Sequence, residues 1–384
     1  MPSYLLILFG VLISLTTKSQ EPIPAIASFS TYSSLLKDKK VGIVGNHTST
    51  IGSTHSIDFL YKNKINIVRI FCPEHGFRGT ADAGETIGDY IDPKTKLPVI
   101  SLYGKKKKPL PEEIKDLDII IFDIQDVGIR FYTYISTLHY VMEAAAEQDI
   151  PVLVMDRPNP NAFYIDGPVL DMQYNSFVGM HPVPIVYGMT IGEYAQMING
   201  EGWLKNNIKC NLKIIPCKNW NRDQIISLKQ APSPNLPDSI SIMLYPSVCL
   251  FEGTEISEGR GTQTPFQLFG HPDLKNMPFT FTPISIDGMS KYPKCENKLC
   301  YGMDLRDKYN YVKEGKQIRL EWLISAYKNY QGSKPFFNNF FNKLAGNDIL
   351  QKDIKNGKTE NEIRDRWQKD LHTFSKIRKK YLIY

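Results

Sequence analysis

Four stretches of this chain are almost wholly apolar and then break off abruptly into polar residues. They are "VGIVG" (41–45), "INIVRIFC" (65–72), "LDIIIFD" (117–123) and "IPVLVMD" (150–156), with a shorter run, "LPVISLYG", at 97–104. A strand with one wet face alternates apolar and polar residues, whereas an unbroken apolar run needs cover on both faces. Helical patterns separate these runs, at "HSIDFLYKNK" (55–64) and "YTYISTLHYVMEAAAEQ" (132–148). Strands that alternate with helices predict an α/β fold with a doubly wound, mostly parallel sheet.

The pattern continues with "TIGE" (190–193), a capping box that opens a helix through about Trp203, and a further strand, "CNLKIIPC" (210–217). At "APSPNLPDS" (231–239) three prolines fall in nine residues, and loop-rich sequence follows. The boundary belongs there, giving an N-terminal domain over 24–238 and a smaller α+β domain over 239–384 that closes a cleft. Helices are expected at "EWLISAYKNY" and along the last 24 residues, where Ile363, Trp367, Leu371 and Phe374 recur at spacings of three and four.

The first residues carry an address. "YLLILFGVLISL" (4–15) is too short to span a bilayer comfortably and reads as the core of a signal peptide, 1–19, although "MPS" before it has no Lys or Arg. The mature protein is expected to be periplasmic or secreted, with no membrane span after cleavage. The formal charge of +6 resides largely in "GKKKKP" and "KIRKKY", and no basic stripe with interleaved aromatics points to nucleic acid. Six cysteines show no zinc spacing; they leave open two local disulfides, Cys210–Cys217 and Cys295–Cys300, or six thiols.

In open α/β sheets, ligands bind beyond the carboxyl ends of the strands. Here those ends read "GNHTS", "PEHGFRG", "DIQDVGIRFYTY" and "DRPNP". Together they predict one cleft rich in Asp, Glu, Asn, His, Gln and Arg. No phosphate-binding loop, G-x-G-x-x-G, G-x-S-x-G or H-E-x-x-H accompanies them, which speaks against nucleotide, α/β-hydrolase and zinc-protease chemistry. Carboxylates remain, and paired carboxylates equip glycoside hydrolysis. The candidates are Glu74, Glu85, Asp123 and Asp126; for Asp123, inside an apolar run, an ion pair with Arg130 or Arg157 is an equal account.

Several long motifs carry a resemblance. "FCPEHGFRGTADAGE", "DIIIFDIQDVGIRFYTYISTL", "VMDRPNP", "DGPVLD", "PIVYGMTIGEYA", "APSPNLP" and "YPSVCLFEGTEISEGRGTQTPFQLFG" resemble the exo-β-N-acetylmuramidase family, NamZ-like glycoside hydrolases long catalogued as a family of unknown function. The similarity runs from about Lys40 to Tyr384. It implies a Rossmann-like N-terminal domain, a smaller C-terminal domain, and exported enzymes that release N-acetylmuramic acid from the non-reducing end of peptidoglycan-derived glycans, with no required metal or nucleotide. The catalytic glutamate then falls on Glu74 or Glu85, protonating the glycosidic oxygen. A second carboxylate acts as nucleophile, base or orienter of the substrate's 2-acetamido group. Arg78, Arg130, Arg157 and Arg260 are candidates for the lactyl carboxylate, because the guanidinium binds carboxylates bidentately. Asn46, His75, Gln125, Tyr132, Asn159 and Glu258 complete the expected binding set, and "SEGRGTQTPFQLFG" (257–270) is expected to reach over the cleft. The alternative is a non-catalytic glycan-binding protein using the same cleft.

Overall fold

The computed structural model describes residues 20–74, 76–78 and 88–384. His75, Glu85 and residues 1–19, the expected signal peptide, lie outside them. The strands are β1 (Val41–Gly45), β2 (Thr50–Ile51), β3 (Thr54–His55), β4 (Ile67–Cys72), β5 (Tyr90–Ile91), β6 (Pro98–Ser101), β7 (Ile119–Asp123), β8 (Val152–Met155), β9 (Leu212–Ile215), β10 (Leu268–His271), β11 (Phe279–Phe281) and β12 (Cys300–Asp304). Seven form the main sheet in the order β5-β6-β4-β1-β7-β8-β9, parallel throughout except that β5 runs antiparallel on the edge. A three-stranded antiparallel sheet, β10-β12-β11, belongs to a second, smaller C-terminal domain.

The unbroken apolar runs have a simple cause. Along β7, Ile120 and Phe122 enter one core while Ile119 and Ile121 enter the other, on the opposite face of the sheet. Strands β1, β4 and β8 divide in the same way. Helix Tyr134–Glu147 covers the first face and helix Ser56–Lys62 the second. The first core is not confined to the sheet. It continues through Leu244, Phe251, Phe269, Leu323 and Phe374, so the two domains share one apolar interior.

The capping box at Thr190 forms as expected: Glu193 N–H donates to Thr190 Oγ1 at 3.2 Å, and Thr190 N–H to Glu193 Oε2 at 2.9 Å. Two helical expectations change. The loop-rich reading after Ala231 misses helix Ser239–Val248, capped by Asp238, whose carboxylate accepts from Ser241 N at 2.8 Å. Pro246 sits inside it and cannot donate to the Ile242 carbonyl; Asn161 Nδ2 reaches that oxygen instead, at 3.5 Å. The long C-terminal helix is two helices, Glu360–Asp365 and Gln368–Arg378. Three-residue hydrogen bonds at Arg366 and Trp367 tighten the chain between them and bury Trp367.

The last residues return to the first domain. Tyr384 Oη donates to Asp156 Oδ2 at 2.8 Å and accepts from Cys217 N at 2.6 Å, while Ile383 N donates to Glu193 at 2.8 Å. Among the described residues no helix is long and apolar enough to cross a membrane.

Candidate active site

The polar strand ends divide into two groups. One group is spent on holding the sheet edge together. Asp123, at the end of β7, is fully buried and grips Arg157 from β8 with two bonds, 2.7 Å from Nε and 3.0 Å from Nη2. Ser56 Oγ also donates to it, and Arg157 Nη2 reaches the Thr50 carbonyl at 3.2 Å. The ion-pair account of Asp123 therefore describes its geometry. Asn46 folds its own turn, accepting from Thr48 N at 2.9 Å and Thr48 Oγ1 at 2.6 Å. Asn159 donates to the Met189 carbonyl at 2.7 Å and accepts from Asn161 N at 2.8 Å. Gln125 donates to the Asp126 and Pro158 carbonyls, at 2.8 and 2.7 Å.

Asp126 is also committed inward. It accepts from Gly128 N at 2.7 Å and from the Tyr187 hydroxyl, and burial pushes its carboxyl up to about 6. A carboxyl whose folded pKa is raised holds its proton longer when folded than when unfolded. Its contribution is full below the ordinary Asp range, near 4, and is lost as pH rises toward about 6. Asp126→Asn should therefore be more stable than wild type at pH 7.5 by roughly 1–3 kcal/mol, and lose that advantage at pH 4. Urea unfolding at both pH values checks this; an equal difference at the two would remove the titration from the account.

Two further candidate arginines, Arg78 and Arg130, are likewise engaged within the protein. Arg78 makes a bidentate pair with Asp92, at 2.8 and 2.9 Å. Arg130 is fully buried and donates to the carbonyls of Pro168, Val183 and, across the domain boundary, Leu344, at 2.7, 2.7 and 2.9 Å. Burial pushes its guanidinium down to about 9. Arg130 ties the two domains together. The fourth, Arg260, stands in a cavity.

That cavity, of about 240 Å³, lies where the carboxyl ends of β4 and β6 meet the C-terminal domain. Glu74 follows β4, and Tyr103 follows β6 and donates its hydroxyl to Glu74 Oε1 at 2.9 Å. Burial, then the neighbouring Glu74 carboxylate, push the Tyr103 hydroxyl well above the usual phenol range, so it stays a donor. Tyr132 and Tyr134, edge to face with ring centres 4.8 Å apart, form an aromatic wall. The Tyr132 hydroxyl donates to the Pro232 carbonyl at 2.6 Å, fixing the proline-rich segment that brings Asn235 to the rim.

The opposite side comes from the second domain. Arg260 Nη2 donates to Glu252 Oε1 at 2.7 Å, and its Nε lies 3.4 Å from buried Glu258. Burial opposes the charge of Arg260, but these two carboxylates more than offset it and hold the guanidinium above its ordinary range. Lys294 Nζ, 3.4 Å from Glu258, caps the carbonyls of Phe251, Glu252, Thr254 and Ile256 at 2.8, 3.2, 2.9 and 3.1 Å. Arg260 and Phe266 bring the segment 257–270 into the cavity wall. Gly261 is required for that path: its φ is +79°, and a Cβ there would meet the Ile284 carbonyl at 2.6 Å.

Of the expected set, the cavity thus collects Glu74, Tyr132 and Arg260, with Glu258 directly behind. Sequence reasoning missed Tyr103, Tyr134, Asn235 and Glu252. Tyr134, Asn235 and Glu252 stand inside motifs that carry the family resemblance, and Tyr103 ends the apolar run "LPVISLYG"; those were the signals available. A larger hollow of about 670 Å³ is lined in part by residues 224–230 and by Gln125 and Arg157, whose hydrogen bonds are already spent on the sheet edge.

Fold and cavity define a two-domain α/β protein whose carboxylate-armed, aromatic-walled pocket sits between the domains, the arrangement of a carbohydrate-active hydrolase. The family models for exo-β-N-acetylmuramidase NamZ match the chain in two consecutive parts, the N-terminal model over residues 41–240 and the C-terminal model over 243–384. The chain belongs to the NamZ exo-β-N-acetylmuramidase family of glycoside hydrolases. It is 42% identical over 375 residues to the peptidoglycan β-N-acetylmuramidase NamZ of Bacillus subtilis (strain 168), covering 92% of this chain and 89% of that one. Crystal structures of two DUF1343 family proteins from Bacteroides fragilis NCTC 9343 superpose closely. One has a TM-score of 0.89 at 45% identity, covering 95% of this chain and 99% of that chain. The other has a TM-score of 0.78 at 29% identity, covering 94% and 99%.

Proposed function

We propose that this protein is an exported exo-β-N-acetylmuramidase that removes N-acetylmuramic acid from the non-reducing end of peptidoglycan fragments, in cell-wall turnover or recycling. The observation that carries the reading is the cavity that joins Glu74, Tyr103 and Arg260. Its 240 Å³ lies below the ~300–1,000 Å³ usual for drug-sized ligands. A space of that order suits one sugar ring, which favours removal of terminal residues over cleavage within a chain. The 42% identity to a peptidoglycan β-N-acetylmuramidase supports the choice of sugar.

In this reading Glu74 gives its proton to the glycosidic oxygen, held in place by the Tyr103 hydroxyl. Glu252 takes the place of the second carboxylate that Asp123 and Asp126 leave vacant; it acts as nucleophile, base or orienter of the 2-acetamido group, kept in position by Arg260. Arg260 also meets the lactyl carboxylate that distinguishes N-acetylmuramic acid from N-acetylglucosamine. Tyr132 and Tyr134 give the ring an aromatic face.

The test compares chromogenic β-glycosides of N-acetylmuramic acid and N-acetylglucosamine. Release from the first and little from the second is expected; binding of the first with no release would replace the enzyme by a glycan-binding protein. The apolar run 4–15 supports export, for which the protein isolated from cells should begin near Gln20; a cytoplasmic protein retaining Met1 would end that part of the reading.

A further inference from the structure

Behind the cavity, the segment after Lys294 contains two cysteines with chemistry of their own. Cys300 is fully buried on β12, where it pairs with Phe281 of β11. Cys295 is half-buried, at the start of a tight turn closed by Lys298 N–H donating to the Cys295 carbonyl at 3.0 Å. Asn297 in that turn is left-handed, at φ +58°, and its N–H donates to the Pro283 carbonyl at 2.8 Å. The turn folds Cys295 back beside Cys300. The Cys300 thiol donates to the Lys298 carbonyl, 3.5 Å away.

A third group completes the cluster. His271, at the end of β10, accepts the Asp273 N–H at Nδ1, 3.1 Å away, which leaves the ring proton on the other nitrogen; the ring hydrogen-bonds Cys295. Donation from Cys300 first, and from His271, outweighs burial and holds the Cys295 thiol well below the ordinary range. A partly exposed thiol whose pKa is lowered, beside a second thiol and an imidazole, is the arrangement of reactive dithiols. The other four cysteines are buried.

We propose that Cys295 and Cys300 are a redox-active pair, closing to a disulfide that clamps the segment carrying Lys294 beneath the Glu252–Arg260 side of the cavity. The oxidant is a small-molecule disulfide. The Cys295 thiolate attacks one of its sulfurs and expels a thiolate; the Cys300 thiol loses its proton to solvent, attacks Cys295 in the mixed disulfide, and expels the second thiol. One small disulfide is consumed, two small thiols are formed, and the protein loses two hydrogens. Because Lys294 adjoins Cys295 and caps four carbonyls of residues 251–256, fixing one fixes the other.

Oxidised glutathione on the folded full-length protein, followed by thiol blocking and a non-reducing tryptic map, tests the pair. Trypsin cuts after Lys294, Lys298 and Arg306, so the disulfide would hold residues 295–298 and 299–306 together as one species, lighter than their sum by two hydrogens. That species should dominate, and should disappear on reduction. Cys300→Ser should instead trap glutathione on Cys295. The linked protein should also melt at least about 2 °C above its reduced form. Recovery of both peptides separately blocked after oxidation would overturn the pairing, and a linked protein with an unchanged melting point would overturn the clamp. Should Cys300→Ser not fold, the wild-type map alone decides.

Discussion

Glu74→Gln should lower turnover of an N-acetylmuramic acid β-glycoside by about 10²–10⁴-fold, the usual contribution of a positioned proton donor. The substitution keeps an oxygen to accept the Tyr103 hydroxyl at the same place, so the fold and the melting point should be little changed. The loss should fall on kcat more than on KM, since the amide still fills the cavity but has no proton to give. Leaving-group acidity offers an independent check. Substrates whose leaving group needs no protonation should be the least impaired, because they bypass the missing acid. A Glu74→Gln variant that hydrolyses both kinds of substrate at the wild-type rate would remove Glu74 from the chemistry and turn attention to Glu85.

The second large effect is on stability. Arg157→Met should cost about 3–5 kcal/mol, because it leaves the Asp123 carboxylate buried without its guanidinium. The pair joins the ends of β7 and β8, and its third bond reaches Thr50. Asp123→Asn combined with Arg157→Met should recover much of the loss, since no uncompensated charge then remains. Equilibrium urea unfolding of the three variants measures the difference. A single-variant cost below about 1 kcal/mol would mean that water reaches the carboxylate and that the strand ends do not depend on the pair.

Much of this was legible in the sequence. The unbroken runs at 119–122 and 152–155 predicted burial on two faces, and the two cores fed by alternate residues of β7 are that prediction in space. The polar strand ends were also legible as a group. What could not be read was which of them would be consumed by one another. Asp123, Arg157, Asn159 and Gln125 look as functional in a string as Glu74 does, and only three-dimensional pairing separates a brace from a site. Glu252 was missed for a different reason. It lies in the short helical turn Cys249–Gly253 after an apolar helix whose proline and β-branched residues disguised it. Its neighbour across the cavity, Glu74, is 178 residues earlier, a proximity set by the topology and by no local pattern.

The return of residues 383–384 to the sheet bears on how the protein is made. Cys217 leaves the ribosome 167 residues before Tyr384, the residue whose hydroxyl satisfies both its amide and the buried Asp156. At ~5–20 residues per second that interval is on the order of 10–30 s, during which the edge of the sheet lacks its closing partner. The arrival of residues 383–384, rather than completion of the sheet's own sequence, then becomes the event that closes this edge.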